Sequence, residues 1–233
     1  MNLKPRLQAI ADMVPCSQTV ADIGTDHGYI PLSLIRSGQA QYAIASDISR
    51  GSLDKAKQLI CLHNLSRCME TRLGNGLSVL SPGEADVIII AGMGGILIRD
   101  IIKRDEEIAR SAGTLILQPM NCQGELRSWL LSSGFIITDE ELAREGSRFY
   151  EIITAKPGEI SSEYKKIADY DIGWKLVEKK HPLLNEWLER KIHVLEEIIV
   201  VLEKGQSMEA AERLKYYEVK YRQFKEVYNC SVR

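Results

Sequence analysis

The sequence lacks a Cys-x-x-Cys pair and a long uninterrupted apolar run. Its 5 cysteines are scattered along 233 residues, and this odd number and wide spacing argue against a disulfide framework and against a zinc site. No segment approaches the roughly 18 consecutive apolar residues of a membrane-spanning helix. The N-terminal stretch MNLKPRLQAIADMVP also lacks the apolar core of a signal peptide. We therefore expect a cytoplasmic protein with no membrane anchor and no metal.

The chain also has little net charge. Its 30 basic and 32 acidic residues give a formal charge of -2 at pH 7. This overall charge does not indicate a nucleic-acid-binding protein, although a local basic face would not show in the count. With 45% hydrophobic and 27% charged residues, the composition is that of a globular protein. The length fits one large domain or a domain with an appendage.

Short apolar runs alternate with helical patterns between residues 19 and 155. The runs read TVADIG, YAIASD, ADVIIIAG and GTLILQP, and each ends in a polar or glycine-rich turn. Such runs are typical of strands buried on both faces of a parallel sheet, so their alternation with helices predicts a doubly wound α/β fold. One intervening helix is predicted over ILIRDIIKRDEEIARSAG, closed by Gly113. Two strand-like runs within GFIITDEELAREGSRFYEIITAKP predict a hairpin that completes the sheet.

From about residue 160 the pattern becomes purely helical. Apolar residues step by three or four along two segments separated by KGQSM, which predicts the facing seams of an antiparallel, coiled-coil-like helical hairpin. The seam residues are Leu184, Leu188, Ile192, Leu195, Ile199 and Leu202, followed by Ala210, Leu214, Tyr217, Tyr221, Phe224 and Tyr228. The sequence therefore predicts two domains, with the sheet in residues 1–158 and the helical appendage in residues 159–233.

The turn after the first strand, DIGTDHG, indicates which ligand the sheet holds. Glycines at this place let a ligand approach the backbone, and the N-terminus of the next helix favours negative groups. The dinucleotide fingerprint Gly-x-Gly-x-x-Gly would need a glycine where this chain has Asp26. A carboxylate there would repel a pyrophosphate, whereas Asp22 and Asp26 would attract the ammonium group of S-adenosylmethionine. S-adenosylmethionine is therefore the predicted cofactor.

Three further strand ends fit this cofactor. Asp47 ends the second strand, where an acidic residue accepts both ribose hydroxyls in NAD and S-adenosylmethionine enzymes alike. The dipeptide Asn75-Gly76 is placed to meet the adenine edge, and the turn after the fourth strand supplies flexible backbone at the carboxyl edge of the sheet. The predicted cofactor-binding set is Asp22, Gly24, Thr25, Asp26, His27, Gly28, Asp47, Ile48, Asn75, Gly76, Ala91, Gly92, Met93 and Gly94.

Each of these signals also has an ordinary structural explanation. A single glycine turn is more often simple strand-to-helix punctuation, and Asn-Gly is a common turn dipeptide. His27 can form hydrogen bonds within its own loop. The order of four strands, each ending in a polar or glycine-rich turn, nevertheless favours a nucleotide-like cofactor site.

Several motifs together resemble the bacterial tRNA (adenine-22-N1)-methyltransferase family, TrmK. They are ADIGTDHGYIPLSLI, IIIAGMGGILI, LILQPM with LRSWL, and FYEII, and the resemblance covers essentially the whole chain. It implies a Rossmann-like class I methyltransferase sheet that uses S-adenosylmethionine to methylate N1 of an adenine in the D-arm of tRNA. Asn75 departs from the aspartate expected at this position in the family, which implies weaker cofactor binding.

The chemistry implied by this resemblance depends mainly on alignment. Adenine N1 has an in-plane lone pair at neutral pH, so the enzyme must align it with the methyl group and stabilise the cationic product. Asp26 or His27 is predicted to stabilise that product, and Tyr29 completes the predicted catalytic set. The predicted substrate pocket consists of Gln118, Pro119 and Asn121.

The predicted partner is tRNA, whose phosphates need basic side chains. The candidates are Lys4, Arg6, Lys179, Lys180, Arg190 and Lys191. The hairpin can equally serve dimerisation or structural cover, and we expect a monomer or a weak dimer. Two other classes stay open: a class I methyltransferase acting on a small molecule or protein, and a nicotinamide-dependent oxidoreductase or non-catalytic nucleotide-binding module.

Overall fold

A computed structural model describes residues 3–159, 170–205 and 207–231. The chain divides into two compact units, Met1–Asp171 and Ile172–Arg233. The first unit contains the sheet and the second contains helices. The predicted domain boundary after residue 158 stays a prediction, since residues 160–169 lie outside the described residues.

The first unit alternates strands with helices. The strands are β1 Ser17–Ile23, β2 Ala40–Asp47, β3 Met69–Leu73, β4 Val87–Met93, β5 Thr114–Pro119, β6 Phe135–Glu145 and β7 Arg148–Pro157. The helices are α1 Pro5–Asp12, α2 Tyr29–Ser37, α3 Arg50–Leu62, α4 Gly95–Arg104, α5 Glu106–Ser111 and α6 Gln123–Ser132, with a 3-10 turn at Gly76–Val79.

The seven strands form one sheet in the order β3-β2-β1-β4-β5-β7-β6. The first five strands are parallel, and β7 is antiparallel to both β5 and β6. Because β1 pairs with β2 on one side and β4 on the other, the chain direction across the sheet reverses at β1, where open α/β sheets bind ligands. The predicted Rossmann-like sheet and its closing hairpin are confirmed.

Apolar residues cover both faces of the central strands. On β4, Ile88 and Ile90 belong to the cluster that includes residues of α4 and α6, whereas Val87 and Ile89 belong to the cluster that includes residues of α1 and α2. Successive side chains of a strand point to opposite faces, so a strand covered by helices on both sides must be apolar throughout. This packing explains the uninterrupted run in the sequence.

One predicted helix is wrong in its extent. The segment expected to form one helix up to Gly113 forms α4 and α5, which are separated at Asp105 (φ -116°, ψ 48°). At this break the Asp105 carboxylate accepts hydrogen bonds from Nε and Nη2 of Arg104, at 3.0 and 2.8 Å. Helix α5 ends at Ser111, and Ala112 is already extended, so Gly113 does not close it.

The second unit contains the predicted helical hairpin. Its helices are α7 Trp174–Glu178, α8 Leu184–Leu202 and α9 Met208–Ser231, and α8 packs against α9. The first half of the α8 seam is buried, and the Trp187 ring lies 5.9 Å from that of Phe224, the buried residue of α9. The Tyr221 hydroxyl donates to Oε1 of Glu196 at 3.0 Å. The tyrosine seam therefore contributes to the packing of the hairpin.

Within residues 3–159, 170–205 and 207–231, no helix is long and apolar enough to cross a bilayer. Across the same ranges, no group of three or more His, Cys, Asp or Glu side chains is placed to hold a metal ion.

A buried ion network connects α6 to the antiparallel end of the sheet. The Arg127 side chain is 1% exposed, and its Nε and Nη2 donate to Glu140 at 2.6 Å and Glu151 at 2.8 Å. Its Nη1 donates to the carbonyl oxygen of Tyr170 at 3.0 Å. Burial alone would lower the pKa of Arg127, but the two adjacent carboxylates raise it, so the guanidinium stays charged.

We expect Arg127→Met to lower the free energy of unfolding by about 3–5 kcal/mol, because it removes the guanidinium that donates to two buried carboxylates. Urea denaturation measures this loss. The control is Arg36→Met on α2, where the side chain is exposed and the expected change is below about 0.5 kcal/mol. Equal effects of the two substitutions would contradict a stabilising role for the network.

Candidate functional site

A cavity of about 870 Å³ lies at the carboxyl edge of the sheet. Its walls come from α1, from the turn between β1 and α2, and from the ends of β4, β5 and β7. The predicted residues in these walls are Lys4, Arg6, Asp22, Gly24, Thr25, Asp26, His27, Gly28, Tyr29, Ala91 and Gly92. A second cavity, of about 500 Å³, lies at the opposite edge, where Ser17, Val87 and Thr114 begin their strands. Because ligands of open α/β sheets bind at the carboxyl ends, the larger cavity is the candidate site.

The turn after β1 is fixed to the end of β2. The backbone N–H groups of Gly24 and Thr25 both donate to the carbonyl oxygen of Ser46, at 2.8 and 2.9 Å. Gly24 has a φ of +79°, and a Cβ there would lie 2.0 Å from Cε of Met93. The positive φ therefore favours glycine at this position, and a larger residue would also displace the end of the Met93 side chain.

Asp22 is the most deeply buried carboxyl group of the cavity wall. It is 5% exposed, and desolvation raises its pKa to about 6, with a further increase from the charge of Asp47 and an opposing hydrogen bond from Thr25. The Thr25 hydroxyl also accepts the N–H of Gly28 at 3.0 Å, which holds the turn at the start of α2. A cation that enters the cavity beside Asp22 would stabilise its ionised form.

The three predicted catalytic residues have different environments. The Asp26 side chain is 69% exposed and lies 3.3 Å from Nζ of Lys55 and 3.0 Å from Nε2 of His27. The His27 ring stacks on Tyr29 with centroids 5.0 Å apart and planes at 12°. The charge of Asp26 is thus directed to Lys55 on α3, whereas His27 and Tyr29 form an aromatic part of the cavity wall.

The predicted residues after β2 and β3 lie outside the cavity walls. Oδ1 of Asp47 accepts the N–H of Ser49 at 2.6 Å, and Ile48 is 72% exposed. Asn75 is exposed, and its carbonyl oxygen accepts Nη2 of Arg104 at 2.6 Å. These positions continue the same edge of the sheet, because β2 and β3 follow β1 in the strand order.

Gly76 begins the 3-10 turn directly after Asn75. The site of its missing Cβ is 2.7 Å from Nη2 of Arg104, the group that holds the Asn75 carbonyl. The Asn75-Gly76 dipeptide is therefore fixed against α4.

The segment from Ala91 to Gly94, which ends β4 and leads into α4, has two tasks. Ala91 and Gly92 line the cavity, and Gly92 has a φ of +77° with its missing Cβ 3.2 Å from Nη1 of Arg6. Met93 packs on Gly24, and Gly94 is the N-cap of α4. Ala91 and Gly92 are therefore the part of this segment that faces a ligand in the cavity.

None of the three predicted substrate-pocket residues lines the cavity: Gln118 and Pro119 lie behind its wall, and Asn121 is exposed. Gln118 is 0% exposed and Pro119 is also buried. The backbone and side-chain oxygens of Asn121 lie 3.1 and 3.3 Å from the N–H of Gly95 and so support the start of α4. Whether these residues shape a substrate pocket stays a prediction.

Sequence reasoning did not identify Tyr150 and Met120 as residues of the cavity wall. Tyr150 belongs to the strand motif FYEII, but only the insertion of β7 beside β5 brings it to the cavity. Met120 directly follows the predicted residues Gln118 and Pro119 in the motif LILQPM, and this adjacency was the available signal. The N-terminal helix α1 was not among the predicted elements, so its contribution to the wall also went unrecognised.

The remaining predicted RNA contacts belong to the second unit. Lys179, Lys180 and Arg190 are exposed. Nζ of Lys191 lies 5.1 Å from the ring centroid of Trp187 on the same helix. Their contact with RNA stays a prediction.

Known proteins match both the sequence and the fold. Residues 3–153 match the family described as "Methyltransferase domain". The chain is 34% identical over 197 residues to the tRNA (adenine(22)-N(1))-methyltransferase of Bacillus subtilis, with 83% of each chain covered.

Two crystal structures extend this similarity. That of the B. subtilis m1A22 tRNA methyltransferase TrmK has a TM-score of 0.88 and 29% identity, covering 97% of this chain and 99% of that one. Sp1610 of Streptococcus pneumoniae, solved in complex with S-adenosyl-L-methionine, has a TM-score of 0.85 and 30% identity, covering 97% and 100%. The resemblance seen in the motifs is confirmed, and the chain belongs to the tRNA (adenine(22)-N(1))-methyltransferase family.

Proposed function

We propose that this protein transfers the methyl group of S-adenosylmethionine to N1 of an adenine in tRNA, at the position 22 named for its B. subtilis relative. The observation that carries the proposal is the buried Asp22 carboxyl group beside the Gly24 turn, at the carboxyl edge of a methyltransferase sheet. The protein is accordingly an S-adenosylmethionine-dependent enzyme of tRNA modification.

The residues of the cavity fit this cofactor. S-adenosylmethionine supplies an electrophilic methyl group on a sulfonium, together with an ammonium, a ribose and an adenine. Asp22 is a desolvated carboxyl group that gains from an ammonium partner, and Gly24 lies beside it in the cavity wall. Asp47 would accept the ribose hydroxyls, and the Asn75 side-chain oxygen would accept the adenine amino group.

The protein's part in the reaction is alignment and charge placement. N1 of adenine provides the electron pair of the new bond to carbon, and the pair of the breaking carbon–sulfur bond remains on sulfur, so positive charge moves from sulfur to the base. No proton has to be removed from N1. The buried Asp22 keeps this end of the cavity acidic, and the stacked His27 and Tyr29 rings provide an aromatic wall against which a planar base can be held.

Cofactor affinity should depend on pH through Asp22. Its pKa in the free protein is raised to about 6, and an ammonium partner favours the ionised form, so the pKa falls on binding. S-adenosylhomocysteine carries the same ammonium group. Its affinity should be constant above pH 6 and should decrease by up to about tenfold per pH unit below it. Calorimetry between pH 4.5 and 8 measures this profile.

Two variants locate the pH dependence. Asp22→Asn keeps the shape of the side chain but should bind weakly and show a flat profile. Asp26→Asn, whose exposed carboxylate is paired with Lys55, should retain the pH slope of the unmodified protein. A flat profile for the unmodified protein, or a slope that survives in Asp22→Asn, would contradict the assignment of Asp22 to the ammonium group.

The reaction itself is tested with the full chain, S-adenosylmethionine labelled in its methyl group, and an unmodified tRNA transcript. We expect nucleoside digestion to yield labelled 1-methyladenosine. The matched control is the same transcript with guanine in place of adenine 22, which should take up no label. Label in another nucleoside or at another position would contradict the proposed target, and label only in a small molecule or protein would favour a different methyltransferase.

A further inference from the structure

Arg6 is held in the cavity wall by contacts with three strands. Its Nη1 donates to Oε1 of Gln118 on β5 at 2.8 Å, and its Cζ lies 5.4 Å from the ring centroid of Tyr150 on β7. Its backbone N–H donates to Oε1 of Glu145 on β6 at 2.9 Å, which fixes the start of α1. These contacts therefore fix the orientation of the Arg6 guanidinium.

Gln118 is the support for this side chain. It is fully buried, so it does not meet a ligand in the cavity, and its Nε2 donates to the carbonyl oxygen of Pro119 at 3.1 Å. Its Oε1 is then left to accept from the donor-only Arg6. Gln118, which was predicted to line the substrate pocket, lies behind the wall, and Arg6, which was predicted as an RNA contact, is part of the wall.

Most of the hydrogen-bonding capacity of Arg6 remains available to a ligand. A guanidinium has five N–H donors, and one of them is directed to Gln118. Gly92 has no side chain that would crowd Nη1. Arg6 is half-buried and lines the cavity, so the other donors can meet an anionic group there.

The charges of the cavity wall are divided between two halves. Asp22 lies at the end of β1 and Asp26 in the turn after it, and they face Asp47 of β2 and Lys55 of α3 respectively. Arg6 contacts the ends of β4, β5 and β7, on the other side of β1. The acidic half fits the cationic cofactor, which leaves the basic half for the methyl acceptor.

We propose that Arg6 binds a backbone phosphate of the RNA next to the methyl-accepting adenine, and that Gln118 is the positioning residue for its guanidinium. This proposal rests on the proposed function. A phosphodiester is the anion that an RNA substrate brings, and the planar guanidinium matches it with paired hydrogen bonds. Charge balance supports the same assignment, because an uncompensated cation in this half would oppose the positive charge that develops on N1.

The test compares Arg6→Gln, Arg6→Lys and the control Arg36→Gln in the full chain. Arg36 is an exposed arginine in the last turn of α2, next to Gly38, which lines the cavity at the opposite edge of the sheet. Arg6→Gln should raise KM for tRNA about tenfold and reduce the slope of log affinity against log salt by about 1. Arg6→Lys keeps the positive charge but loses the paired donors. It should therefore have the salt slope of the unmodified protein and a KM between that of the unmodified protein and that of Arg6→Gln. Arg36→Gln should match the unmodified protein.

Gln118→Glu tests the positioning role. Glutamate still accepts a hydrogen bond from Nη1, so Arg6 stays in place, but its carboxylate neutralises the guanidinium. We expect the salt slope to fall as in Arg6→Gln, which a merely structural role for Gln118 would not produce. S-adenosylhomocysteine affinity should stay within about twofold in all four variants, and this measurement also shows that each variant is folded.

Two results would overturn the proposal. If Arg6→Gln loses cofactor affinity about tenfold while tRNA affinity and salt slope are unchanged, Arg6 binds the cofactor carboxylate instead. If Arg6→Gln and Arg36→Gln have the same KM and slope, Arg6 binds no phosphate. If Arg6→Gln does not fold, KM for tRNA is compared between Arg6→Lys and Arg36→Gln. Equal values would then overturn the proposal. Failure of the proposed function is distinct, because the unmodified protein would then put no methyl group on tRNA.

Discussion

The parallel pairing of β1 with both β2 and β4 is the constraint on which the site depends. It brings the turns after these strands to one edge of the sheet, where Ser46 of β2 accepts hydrogen bonds from the Gly24 turn and Met93 of β4 packs against the same glycine. A side chain at Gly24 would strain the backbone, whose φ is +79°, and would displace the end of the Met93 side chain from this edge. The apolar clusters on the two sheet faces hold the strands in this register.

Because this packing buries Asp22, its ionised carboxylate destabilises the folded protein when no ligand is bound. Its pKa is raised from 3.8 to about 6, so its ionisation at neutral pH costs the folded protein on the order of 3 kcal/mol. The stabilising contribution of the protonated group is complete below pH 3.8 and is lost as the pH rises through 6. An ammonium partner offsets this cost, so the folded sheet is prepared for a cationic cofactor. Arg6 prepares the other half of the cavity for an anion.

The fold and the position of the site could be predicted because they depend on local patterns. Strands covered on both faces appear as continuous apolar runs, and the Asp22 to Gly28 turn stands directly after the first of them. The contact between Arg6 and Gln118 could not be predicted, because it joins residues 112 positions apart through side-chain packing. Tyr150 was missed for a related reason, since no local signal shows that β7 inserts between β5 and β6.

A crystal structure of the full chain with S-adenosylhomocysteine tests the division of the cavity into a cofactor half and an acceptor half most directly. The account predicts the amino group at hydrogen-bond distance, roughly 3 Å, from the Asp22 carboxylate and the ribose at Asp47. It also predicts that the sulfur faces Gly92 and that the Arg6 guanidinium stays on Gln118. A ligand carboxylate bound to Arg6, or a ligand in the cavity at the opposite edge of the sheet, would contradict it.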